Sequence, residues 1–276
     1  MIRRILILAG YFSKGVVFSV TGLLLILFGL VYWAIFFPPG QTTPDIENYI
    51  ILIGSLGAAA TFFSGLVIAG RASRLETYPM LVRLPSRVEY LVAVLLATIA
   101  LGLFIQLLVA GLALLRGPDL VVSRLLAIPP IWLSVNVLAA ILAMHASDLV
   151  TAGWSRVIIF SLLAFALILN SASPDPESWF SERLFGLVDI LNRINLVWFA
   201  DVVSGAAGLA GSSLFALLTQ TAAIMFWPFR ALSDAVLSGG FSASQALAPA
   251  VIVLYSAILF LIAAILFCGK DLDFVE

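Results

Sequence analysis

Apolar runs of 20 or more residues without a charge recur along this chain, and they restrict its fold more than any other feature. A run of that length crosses the ~30 Å of a bilayer's hydrocarbon at ~1.5 Å per helical residue. Inside hydrocarbon each backbone group needs a partner from the same segment, so runs of this kind become helices. Only 11% of the residues are charged and 63% are hydrophobic, whereas a soluble domain carries about 25% charged residues. The expected class is therefore all-α, a polytopic membrane helix bundle forming a single transmembrane domain over 1–276.

Taken in order, the runs predict six spans, at 16–37, 49–69, 90–115, 125–146, 152–172 and 247–267. Residues 1–15 hold an apolar core too short for a signal peptide. They predict an interfacial elbow helix, with Arg3, Arg4 and Lys14 toward anionic headgroups. Tyr32 and Trp33 suit an interfacial aromatic belt. In the second span, Gly54 to Ala58 and Gly65 to Ala69 place small residues on one face, which predicts close packing within the chain ahead of a subunit interface. Pro129 and Pro130 fall in the first turns of the fourth span, where proline is tolerated.

The segment 184–229 predicts amphipathic and re-entrant helices on the outer side before the last span. Apolar Leu184, Leu187, Val188, Leu191 and Ile194 give 184–200 the pattern of an amphipathic helix lying on the membrane. Residues 202–229 carry no charge but open with SGAAGLAGSS, which favours a re-entrant pair or a helix packed within the bundle over a simple span. Six spans is the preferred count and eight the alternative. With six, both termini share a face that collects nine Lys and Arg against five on the other. The positive-inside rule then places the termini in the cytoplasm and the chain in the cytoplasmic (inner) membrane.

The chain's chemistry is sparse. It has one histidine and one cysteine, and no phosphate-binding loop, zinc signature or nucleophile elbow, so no catalytic residue, metal site or cofactor is expected in it. No nucleic-acid partner is expected either. The deep polar residues are neutral, Gln106 and Asn136; interhelical hydrogen bonding is their expected use, with a substrate path as the weaker alternative. His145 and Asp148 share a helix face and predict a local contact at a helix end. An enzyme acting on lipid through Asp175, Glu177, Glu182 or Asp189 is disfavoured, because these acids have no partners at motif spacing.

One polar island interrupts the apolar runs. Residues 71–89 hold Arg71, Arg74, Arg83 and Arg87, divided by Pro79 and Pro85. Such a segment predicts short surface helices on which a soluble partner docks.

Its pattern, Arg74-Leu-Glu76-Thr77, then Leu81, then Leu84-Pro85-Ser86-Arg87-x-Glu89-Tyr90, resembles the type-2 permeases of ATP-binding-cassette exporters (the ABC-2 family). The tail Phe267-Cys-Gly-Lys270-Asp271-Leu272 is also similar to the family's. Thr77-Tyr78-Pro79 departs from the glycine that often follows the acid, and 184–246 is longer than a minimal outer hairpin. The resemblance implies a permease subunit of an ATP-driven exporter, working as a dimer with a second permease copy or a paralogue. It implies a separate nucleotide-binding ATPase subunit, coupled through Arg74, Glu76, Thr77, Tyr78, Met80, Leu81 and Arg83. A hydrophobic or lipid-like substrate and membrane lipids as neighbours complete the expectation. The alternative is a non-catalytic membrane scaffold subunit of a larger complex.

Overall fold

The computed structural model describes residues 1–38, 45–115, 117, 128–150, 176–193, 196–209, 213–238, 242 and 245–269. These residues form helices and no sheet strand. Ten α-helices follow in order: α1 Ile2–Val17, α2 Val20–Phe36, α3 Ile46–Ala72, α4 Tyr78–Val82, α5 Arg87–Leu114, α6 Ile128–His145, α7 Pro176–Arg193, α8 Val197–Leu209, α9 Ser213–Leu237 and α10 Ala248–Gly269. Short 3-10 turns at Leu75–Thr77 and Gln245–Leu247 precede α4 and α10. Among the described residues, four helices are long and apolar enough to cross a membrane: Ile46–Ala72, Arg87–Leu114, Ile128–His145 and Gln245–Gly269. The chain is thus a helical, multi-pass membrane protein. The expected span at 152–172 lies outside the described residues.

The first expected span, 16–37, is corrected. The helix breaks at Phe18 and Ser19, and α1 and α2 meet at 74°, counting as a fifth crossing only if taken together. Ser19 makes the corner: its hydroxyl donates to the Val16 carbonyl at 2.7 Å and accepts from the Gly22 amide. Gly22 fits because the Val17 carbonyl would stand 2.7 Å from any Cβ there. The elbow helix therefore reaches Val17 and α2 starts at Val20.

The chain divides into two compact units, 1–160 with 231–276, and 161–230. In the first, α3 packs against α5 and α6, α1 lies across α5, and α10 lies against α6. The α3–α5 contact is a small-residue seam. Gly57 faces Gln106, Thr61 faces Gly102, and Gly65 faces Thr98 and Ala143 of α6. Each step of four on α3 meets a step of four on antiparallel α5, so a bulky group always sits over a small one. Gly65 is in the seam as expected, whereas Gly54 faces Trp132 and the decisive partner positions are Gly57 and Thr61. The small residues serve packing within the chain.

In the second unit α7 and α8 pack as a helical pair. The single amphipathic helix expected at 184–200 is corrected: α7 ends at Arg193 and α8 begins at Val197. The Leu196 amide donates to the Leu191 carbonyl at 3.0 Å, a six-to-one bond of the kind that closes a helix C-terminus. Within 202–229, α8 ends at Leu209 and α9 starts at Ser213, and the break expected there falls on 210–212, outside the described residues. Helix α9 then runs past 229, through Pro228, to Leu237.

Candidate docking face at the connector

The polar island begins in the last turn of α3 and ends in the first turn of α5. Its prolines shape it as expected: Pro79 sits in the opening turn of α4, where its missing amide costs nothing, and Pro85 precedes the cap of α5. Ser86 caps α5 by accepting from the Val88 amide at 3.2 Å. Glu89 in the same first turn favours the positive end of the helix.

Helix C-termini converge at this pole, and side chains of the island bind their free carbonyls. Arg71 Nη1 donates to the Gly15 carbonyl near the end of α1. The Ala72 carbonyl closing α3 accepts from Tyr90 Oη at 2.7 Å and from Thr77 Oγ1 at 3.0 Å. Arg87 Nη1 donates to the Cys268 carbonyl near the end of α10 at 3.2 Å. Orphan carbonyls need such donors, and cations there also meet the negative end of the helix dipole.

Tyr90 is the hub of the pole. Its ring meets Phe12 of α1 edge-on at 5.5 Å and stacks on Phe267 of α10 at 6.1 Å. One side chain thereby joins α1, α3, α5 and α10. Across the outer edge, Arg4 of α1 reaches Glu89 Oε1 at 3.5 Å.

The expected coupling residues divide into two sets. Arg74, Glu76 and Arg83 are exposed. Thr77 and Leu81 are buried, Thr77 donating to both Ala72 and Arg74 carbonyls and Leu81 packing in the core with Met80 half-buried against it. Leu81, one of the residues expected to couple to the ATPase, thus packs against this chain's own bundle. The side chain of Tyr78 lies outside what is described.

Gln106 and Asn136 lie far from this pole, fully buried. Asn136 Nδ2 donates to Gln106 Oε1 at 2.6 Å, and Gln106 Nε2 donates to the Ile53 carbonyl at 3.1 Å, tying α6, α5 and α3. Interhelical bonding is thus their role in this structure, and Asn136 Oδ1 has no partner among the described residues. His145 Nε2 donates to the Leu259 carbonyl of α10 at 2.9 Å. Among the described residues no group of three or more metal-binding side chains occurs. Of the acids weighed for lipid chemistry, Glu182 and Asp189 are exposed on α7, the Glu177 side chain is not described, and Asp175 lies outside the described residues.

Sequence reasoning missed Tyr90, Ser86 and the capping use of Arg71 and Arg87. A signal for Ser86 was present in its three-residue spacing to Glu89 before an apolar run. No family model, curated protein or solved structure matches this chain.

Proposed function

We propose that the chain is the membrane-spanning permease subunit of an ATP-driven exporter of the ABC-2 type, energised by a separate nucleotide-binding subunit. The observation that carries this reading is the two-sided connector. Its inner side chains, Thr77 and Leu81, are fixed to the bundle, while Arg74, Glu76 and Arg83 stand outward. A soluble ATPase gripping the outer charges would thus move the ends of α3 and α5 directly. The exposed charges supply recognition, and buried Thr77 and Leu81 supply stiffness.

The arrangement of ends also supports an even number of crossings, six or eight. The elbow and the end of α10 meet at Tyr90, at the pole where α3 ends and α5 begins. This is the arrangement required of a chain with both termini on the cytoplasmic side. The permease works as a dimer with a second copy or a paralogue, and the apolar bundle suits a hydrophobic or lipid-like substrate.

The test is purification of the tagged protein in mild detergent with mass spectrometry of its soluble partners. An ATPase with a phosphate-binding loop should co-purify, and Arg74→Glu with Glu76→Arg should release it while leaving the melting temperature unchanged. Retention of the ATPase by that variant overturns the connector as its docking site. Recovery of other membrane proteins alone would replace the exporter reading with the scaffold.

A further inference from the structure

Helix α1 faces the bundle with Ile5, Leu8, Ala9, Phe12 and Val16. Its outward face is not that of a water-exposed helix. Leu6, Ile7 and Tyr11 are each more than half exposed, beside exposed Arg3, Arg4 and Lys14. The helix contains no acidic residue. Its contacts fix its height: Arg4 and Phe12 meet Glu89 and Tyr90 in the first turn of α5, and Gly15 meets Arg71 in the last turn of α3. Those spans begin and end there, so α1 lies where hydrocarbon gives way to headgroups. Apolar side chains at that height enter the acyl boundary, and basic ones extend to phosphates.

Arg4 faces both ways. It is 53% exposed while its partner Glu89 is 8% exposed, and Glu89 Oε2 has no partner among the described residues. A single contact of 3.5 Å leaves most of the guanidinium's donors available to an anion outside.

We propose that the outward face of α1 binds the headgroups of anionic phospholipids, and that Arg4 is shared between them and Glu89. Lipid charge then sets how firmly α1 holds the connector pole. The occupant is the bilayer surface itself, which the apolar Leu6, Ile7 and Tyr11 select over a soluble anion. The inference does not depend on the exporter reading.

The test uses the full chain in neutral detergent, with phosphatidylglycerol or phosphatidylcholine added to the micelles, followed by melting. Phosphatidylglycerol should raise the melting temperature above that in phosphatidylcholine. Arg3→Gln with Lys14→Gln should remove most of the difference, since each basic residue at a charged surface changes affinity about five-fold. Both side chains are exposed, so the variant folds. An equal response in that variant, or its loss instead in Arg74→Gln with Arg83→Gln, overturns the site on α1. Glu89→Gln should strengthen phosphatidylglycerol binding several-fold by freeing Arg4; unchanged affinity overturns the sharing.

Discussion

The middle of the first unit and its connector pole both place polar side chains inside an apolar bundle, to different ends. In the middle, Gln106 and Asn136 are neutral, fully buried and bonded between helices. At the pole, arginines and a tyrosine bind helix-end carbonyls, and further charges remain outside. Depth explains the contrast. A charge in mid-membrane is costly to bury, whereas a neutral amide can bond between helices there at far lower cost. At the boundary a cation caps a carbonyl and keeps contact with water. The middle is therefore built to hold, and the pole is built to hold and to be reached.

The contrast breaks most sharply at the seam. A Cβ at Gly102 would lie 2.7 Å from the Thr61 backbone, while Gly111 on the same helix has nothing within 4 Å. Gly102→Leu should destabilise by at least ~3 kcal/mol and yield no monodisperse protein on size exclusion in detergent. Gly111→Leu should behave as the parent does, and equal damage from both would remove the seam's special status.

Gln106→Leu leaves the Asn136 amide and the Ile53 carbonyl without their partner. A loss of ~1–2 kcal/mol is expected in unfolding by denaturant. The double change with Asn136→Leu should cost less than the sum of the singles, which a double-mutant cycle measures.

At the pole, Tyr90→Phe keeps both ring contacts and removes one donor to Ala72, whose carbonyl retains Thr77. The expected cost is ~0.5–1 kcal/mol, read as a small fall in melting temperature. Arg74→Gln and Arg83→Gln should change stability least, within about 0.5 kcal/mol, because both side chains are exposed. A larger loss at either arginine would show that the outer charges are structural too.

Much of this architecture was legible in the residues. The spans at 49–69, 90–115, 125–146 and 247–267 all contain helices, because unbroken hydropathy and length leave few alternatives. The corner at Ser19 was not legible, since nothing polar interrupts 16–37 and the turn rests on one hydroxyl and one close approach at Gly22. The second span offers several four-residue ladders of small residues, and α3 alone does not choose among them. The matching Thr98, Gly102 and Gln106 on α5 make the choice. At the candidate site the island itself stood out, yet the fate of each arginine did not. Arg71 binds a carbonyl 56 residues away and Arg87 one 181 residues away, distances at which local pattern is silent.

The seam has a mechanical consequence. Its teeth recur every four residues, about 6 Å along the axis. Sliding α3 by one tooth would press Thr61 against Gln106 and leave Gly65 opposite Gly102, a collision beside a void. Neither helix can telescope past the other, so α3 and α5 behave as one beam. A force along either helix is carried by both rather than taken up by sliding.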